Sequence, residues 1–240
     1  MLKVTNLTKK YNSLVALDRL SFSIKSGEVM GLLGPNGCGK TTTIGIILGL
    51  IEQSSGNVFI DNEKLTRKNR SKILNKVNFA SPYVELPKRL TVSQNLRIYA
   101  RLYNVKKIND KVNQLIEELE LQEIANKLTG ELSSGQRTKV SIAKSLINNP
   151  KLLLLDEPTA SLDLYISDMM RSYLENYKRN NKVSILIASH NMQEVDRLCN
   201  KVIMLNRGKI IESGTTKEII SKYDGFSLEK AFLKILTKVT

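Results

Sequence analysis

The chain has no tryptophan, one histidine, two cysteines and five prolines in 240 residues, and aromatics make up 5% of it. Two cysteines in a chain of this length make no disulfide framework, which agrees with a reducing compartment. Long apolar runs are missing as well. Stretches such as Ile44-Gly45-Ile46-Ile47-Leu48-Gly49-Leu50-Ile51 fall far short of the ~18 residues that cross a bilayer. The opening residues Met1-Leu2-Lys3-Val4-Thr5 lack the apolar core of a secretory signal, so the expected location is the cytosol. Acidic residues are scarce too: 37 Lys and Arg face 23 Asp and Glu, a net charge of +14. A nucleic-acid partner, an anionic membrane surface and a merely Lys-rich solvated surface all suit that balance. The densest basic run (Lys64, Arg67, Lys68, Arg70, Lys72) holds no aromatic for base stacking, so no nucleic acid is favoured.

What the chain does have is 41% hydrophobic composition, enough for a sizeable core, and two glycine-bearing loops. The first, Gly34-Pro35-Asn36-Gly37-Cys38-Gly39-Lys40-Thr41, has the form G-x-x-x-x-G-K-[ST]. Glycines let successive N–H groups converge on phosphate oxygens, and a following helix adds positive potential. Lys40 is expected to reach the β- and γ-phosphates, Thr41 to give its hydroxyl to Mg²⁺, and Thr42 to lie near the α-phosphate. The second loop is Leu132-Ser133-Ser134-Gly135-Gln136.

Three apolar runs read as buried strands: Val29 to Leu33, Leu152 to Leu155 and Val183 to Ala188. Each ends in polar residues, respectively Gly34, Asp156 with Glu157, and Ser189 with His190. Ligands gather at the carboxyl ends of strands in open α/β sheets, so the three clusters predict one site. A helix is expected from about Lys40 to Leu50. From about Pro82 to Asn149 the pattern turns helical. Asn109 or Asp110 can cap a helix with Val112, Leu115, Ile116 and Leu119 inward, and another follows Gly135 until Pro150 stops it. Thr5 to Asp18 and Gly56 to Asp61 alternate like strands of a small β lobe, and Val202 to Glu212 reads as a hairpin about Asn206-Arg207-Gly208.

These two loops, in this order, with Asp156-Glu157-Pro158 between the second loop and His190, resemble the nucleotide-binding subunit of an ATP-binding cassette (ABC) protein over about residues 1 to 220. The resemblance implies a single α/β domain. Its P-loop (RecA-like) core with an antiparallel β lobe would occupy 1–81 and 150–220. A helical subdomain would occupy 82–149, and a short helical tail 221–240. It implies ATP and Mg²⁺ as cofactors, with Thr41 and Asp156 at the metal. It makes Glu157 the general base, His190 the switch histidine at the γ-phosphate, and Lys40 the third catalytic group. Tyr11 matches the aromatic that stacks on adenine. Ser133, Ser134, Gly135 and Gln136 match the signature loop that caps ATP held by another subunit, with Ser134 where the family usually has Gly. Ser161-Leu162-Asp163 matches the loop that crosses the dimer interface.

One family residue is missing. The glutamine that joins core to helical insert falls on Ser81 or Pro82, and Gln94 sits too far along to replace it. The segment Glu194 to Cys199 and the tail Ser227 to Leu233 are similar to type-2 exporters. The resemblance therefore implies an ATP-hydrolysing subunit, peripheral on the inner face of the membrane, that drives a separate permease. The rival is a soluble ABC ATPase acting on ribosomes or DNA. It would suit the charge, but this chain has one cassette and no zinc or coiled-coil insert. A regulatory subunit without turnover would need a damaged Glu157 or His190, and both are present.

Overall fold

In the computed structural model the described residues are 1–82, 85–160, 162–223 and 227–239. Six strands form the main sheet in the order β10-β9-β3-β8-β7-β6. They are β3 (Val29–Leu33), β6 (Val77–Ala80), β7 (Leu152–Asp156), β8 (Ser184–Ser189), β9 (Lys201–Asn206) and β10 (Lys209–Thr215). All neighbours are parallel except β10 on β9. The edge pair turns at Arg207 and Gly208, both at positive φ, which matches the twist a tight hairpin needs.

The four consecutive leucines of β7 are explained by two cores rather than one. Successive strand residues point to opposite faces. Leu152 and Leu154 join the core shared with the β lobe, whereas Leu153 and Leu155 join the core under the helices. In β8 the same division sends Leu186 and Ala188 one way and Ile185 and Ile187 the other. An alternating polar pattern would have left one face wet, and a parallel sheet does not tolerate that.

The β lobe is a four-stranded sheet in the order β2-β1-β4-β5. It comprises β1 (Leu2–Tyr11), β2 (Leu14–Ile24), β4 (Ser55–Ile60) and β5 (Glu63–Lys64). The strand signal read over Thr5 to Asp18 is thus two longer strands that reverse at Asn12, where φ is 52°.

Helix α1 (Lys40–Ile47) ends before the expected Leu50. Gly49 turns left-handed at φ 65°, and the Leu50 and Gly49 N–H groups bond back to the Gly45 and Ile46 carbonyls at 2.9 Å each. That double bond is the glycine stop of a Schellman motif. The short α2 is Arg70–Leu74.

Between the adjacent strands β6 and β7 the chain inserts α3 (Val92–Leu102), α4 (Ile108–Glu118) and α5 (Ser134–Ser145). Neither Asn109 nor Asp110 caps α4, which starts at Ile108 without a side-chain cap. Ile108 packs on the core and draws the start back, leaving Asp110 in the first turn, where its charge suits the helix dipole. Helix α5 starts at Ser134, two residues earlier than expected, and ends at Ser145, short of Pro150. Then come α6 (Leu164–Asn181), α7 (Met192–Leu198), α8 (Thr216–Lys222) and α9 (Leu228–Val239).

Lys144 of α5 is the least ordinary charge in this layer. It is buried, its Nζ donates to the Phe79 carbonyl at 2.8 Å, and burial lowers its pKa to about 8. The unfolded chain therefore binds more protons than the folded one between about pH 8 and 10.5. Stability should rise through that window, by at most about 1.4 kcal/mol per pH unit from this group. Melting curves of wild type and Lys144→Met between pH 7.5 and 10 check it. Wild type should gain on the variant as pH rises; a constant difference would refute the buried-charge account.

Candidate nucleotide site

The carboxyl ends of β3, β7 and β8 lie side by side, because β8 pairs with both of the others. There they surround a cavity of about 240 Å³ lined by Asn36, Gly37, Gly39, Lys40, Thr41, Thr42, Asp156, Glu157 and His190.

The first loop closes tightly on the sheet. A Cβ on Gly34 would stand 2.4 Å from the Leu205 carbonyl oxygen and 2.5 Å from Cys38 Sγ. Gly39 holds φ 112°, and a Cβ there would meet Leu17 at 2.5 Å. Only glycine fits either position. Lys40 Nζ donates to the Gly34 carbonyl at 2.7 Å and the Pro35 carbonyl at 3.3 Å, so the ammonium lies across its own loop. Gly34 and Pro35 therefore hold the lysine rather than line the cavity.

Cys38 belongs to the phosphate loop, but its side chain does not enter the cavity. It is 3% exposed and belongs to the core shared with the β lobe. The Gly34 turn and a bond from the Gly208 N–H to the Cys38 carbonyl (3.0 Å) direct it inward. Burial pushes its thiol pKa up. A maleimide should therefore label Cys38 poorly whether or not ATP is added; fast labelling that ATP blocks, read by mass spectrometry, would contradict this. Cys199 is buried as a small hydrophobe.

Thr41 Oγ1 donates to Asp156 Oδ2 at 3.1 Å. Burial raises the Asp156 pKa, a shift opposed by the Thr41 hydroxyl and the Lys40 charge and reinforced by Glu157. Glu157 Oε2 stands 2.7 Å from His190 Nδ1. The histidine side chain is 62% exposed and the glutamate 10%, so the pair joins the cavity wall to its mouth. Glu157 has φ 53°, uncommon for a residue with a Cβ, and its N–H bonds to the Ala188 carbonyl at 2.8 Å. Crossing from β7 to the end of β8 is what turns its carboxylate towards His190.

Among the described residues, no cluster of three or more His, Cys, Asp and Glu could hold a metal by itself. One hydroxyl and one carboxylate converge instead, a hard oxygen set that suits Mg²⁺ when phosphates and water complete the shell.

The other expected residues do not line this cavity. Tyr11 is 43% exposed at the end of β1, with Lys9 Nζ 4.6 Å from its ring centroid. Ser133 caps α5 in a capping box: its hydroxyl accepts from the Gln136 N–H, and the Gln136 side chain accepts from the Ser133 N–H. Ser134 and Gly135 lie in the first helical turn, so the serine in place of glycine adds no backbone strain. Asp163 caps α6 by accepting from the Ile166 N–H at 2.8 Å. These two caps are neighbours, since a Cβ on Gly135 would touch Leu162 and Ile166. Ser161 lies outside the described residues. Ser81 is buried and lines a different groove of about 550 Å³, with Pro82, Leu86, Lys88, Arg137 and Ser141. Gln94 is spent in the capping box of α3 with Thr91. The sequence reading missed Thr159 and the buried Glu194, which hydrogen-bond each other at 2.9 Å behind the site. No spacing rule links residues 35 positions apart.

The sequence pattern of the ABC transporter family matches residues 17–160. The bacitracin transport ATP-binding protein BcrA of Bacillus licheniformis is 36% identical over 215 residues, 88% of this chain and 69% of that protein. A probable sulfate/thiosulfate import ATP-binding protein, CysA of Chlorella vulgaris, is 32% identical over 218 residues, 90% of this chain and 92% of that one. The dimeric ATP-binding cassette MJ0796, solved in a post-hydrolysis state with ADP and Pi, superposes with a TM-score of 0.83 at 27% identity, covering 90% of this chain and 98% of that one. With a phosphate loop, a carboxylate pair and a histidine around one cavity of this fold, the chain belongs to the ABC transporter family as an ATP-binding, ATP-hydrolysing subunit.

Proposed function

We propose that two copies of this chain, or this chain and a close homologue, meet head to tail around two ATP-Mg and drive a separate membrane permease, in the direction of export. The observation that carries the pairing is an incomplete site. Ser133 to Gln136 and Asp163 do not line the cavity of their own chain, yet their caps sit together on a surface where Leu164 is 87% and Tyr165 78% exposed. Large apolar side chains this exposed, beside two helix N-termini suited to phosphate, fit a face that another subunit covers. Among the described residues the Ser133 hydroxyl is used only as an acceptor, so its proton remains to donate to a γ-phosphate.

Within the site, Lys40 and the loop N–H groups, with Thr42, hold the phosphates, and Thr41 and Asp156 hold Mg²⁺. The ion, when bound, neutralises charge on the phosphate oxygens. Glu157 takes a proton from water as the new O–P bond forms; the bond from the γ-phosphorus to the bridging oxygen breaks, and ADP and phosphate leave. His190 orients Glu157 and meets the γ-phosphate. The left-handed backbone of Glu157 supports this role, since strained non-glycine residues cluster at active sites. Tyr11, exposed at the end of β1, stacks on adenine.

Residues 82–149 form the arm that carries motion to the permease, and the groove at Ser81 is where a permease segment would press. Ser81 does not line the nucleotide cavity, so Ser81→Ala should change turnover and Mg²⁺ dependence little. A large loss with ATP binding intact would make Ser81 a direct ligand. Relatives of similar identity include an import ATPase, so identity does not set direction. Export rests on the likeness of Glu194 to Cys199 and of the tail to type-2 exporters.

No helix among the described residues is long and apolar enough to cross a membrane. Cell fractionation tests the membrane assignment. The chain should sediment with membranes and be stripped by alkaline carbonate. Co-sedimentation with ribosomes or DNA, with none on membranes, would favour the rival reading.

A further inference from the structure

Glu194 is a buried carboxylate that the hydrolytic scheme does not use. It is 0% exposed, in the first turn of α7, four residues past His190. Its Oε1 accepts from Thr159 Oγ1 at 2.9 Å, and Thr159 lies two residues past Glu157. Its backbone N–H donates to Asn191 Oδ1 at 3.2 Å, and the Asn191 N–H donates to Ser189 Oγ at 3.0 Å. Burial raises the Glu194 pKa; the Ser189 and Thr159 hydroxyls and the Arg171 charge oppose that shift, and Glu157 adds to it. Glu194 therefore touches or faces the chain on both sides of His190 and just after Glu157.

This arrangement is expensive as structure alone. Glu194 Oε2 and the nearby Arg171 Nε are both buried without hydrogen-bond partners among the described residues. A buried carboxylate with an unpaired oxygen costs stability, and an apolar residue of similar volume is often neutral or better in such a place. Yet the site above it depends on Glu157 Oε2, which stands 2.7 Å from His190 Nδ1 and accepts the His190 N–H at 3.4 Å, between loops from two different strands.

We infer that Glu194 is a positioning residue for hydrolysis, tying the loop after β7 to the loop after β8 from beneath so that Glu157 and His190 stay in register. The inference rests on the assignment of Glu157 and His190 as the hydrolytic pair. Misplacing reacting groups by about 1 Å can cost on the order of a hundredfold in rate. Loss of the tie should therefore appear in kcat and not in ATP affinity, because Lys40 and the phosphate loop lie on other elements.

The test is a series of Glu194→Met, Glu194→Gln, Thr159→Val and the Glu194→Met/Thr159→Val double variant. Each is read for melting temperature, ATP Kd and kcat. Glu194→Met should melt at or above the wild-type temperature, bind ATP within about twofold, and lose roughly tenfold to a hundredfold in kcat. Glu194→Gln keeps an acceptor for Thr159 and should recover most of that loss. Thr159→Val should lose a comparable factor, and the double variant little more, because both act through one bond. Wild-type kcat in Glu194→Met overturns the inference. So does a parallel fall of melting temperature, affinity and kcat, the signature of a merely structural role. If Glu194→Met does not fold, Thr159→Val decides: wild-type kcat there overturns the inference. Glu157→Gln in the same series separates the two failures. Turnover retained there removes the hydrolytic pair and this inference with it, whereas turnover lost there with wild-type kcat in Glu194→Met removes this inference alone.

Discussion

Glu157→Gln is expected to bind ATP, lose hydrolysis and accumulate as an ATP-bound dimer. Glutamine matches glutamate in shape and can still meet His190 Nδ1, which lies 2.7 Å from the native carboxylate. It cannot accept a proton from water. General-base catalysis is worth about 10²- to 10⁴-fold, and a fall of that order is expected in kcat. The phosphate loop, Thr41 and Asp156 are untouched, so affinity should survive. Glutamine is also no worse than glutamate at the left-handed backbone of this position (φ 53°), so stability should hold. Sizing chromatography with and without ATP-Mg, beside a phosphate-release assay, reads both effects. Hydrolysis at the wild-type rate would remove Glu157 as the base.

Lys40→Ala is expected to lose at least ~10²-fold in rate, and ATP binding should weaken with it. The geometry gives two reasons. The ammonium is the positive group at the cavity, where phosphate charge develops. It also ties the loop together, through its bonds of 2.7 Å to the Gly34 carbonyl and 3.3 Å to the Pro35 carbonyl. Alanine removes both. Nucleotide titration and steady-state kinetics check it, and full ATPase activity in the variant would remove the phosphate-loop assignment.

Much of the site was legible because backbone and strand order carry it. The runs Val29 to Leu33, Leu152 to Leu155 and Val183 to Ala188 could be read as buried strands, and a ligand at their carboxyl ends follows from parallel topology. Glycine at positions 34 and 39 could be read from the motif, although the reason at each lies in a neighbour distant in sequence, Leu205 or Leu17. What escaped depends on such neighbours alone. The inward turn of Cys38 is set by Gly34 and a bond from Gly208. The start of α4 is set by the packing of Ile108 rather than by a cap at Asn109 or Asp110. The place of the missing glutamine, Ser81 or Pro82, could be read only as a gap, and the chain turns both residues into the groove beside α5. The Thr159 to Glu194 bond joins two loops that only the sheet brings together.

The central claim is that one chain's phosphate loop and another chain's Ser133 to Gln136 enclose each ATP. Cross-linking tests it directly. Asn36 and Ser134 are exposed, and the native Cys38 and Cys199 are buried, so Asn36→Cys with Ser134→Cys gives two reactive thiols per chain. In the Glu157→Gln background, a short bifunctional maleimide should give a covalent dimer that requires ATP and both new cysteines. Monomer at every ATP concentration, or a dimer that forms equally without ATP, would contradict the account.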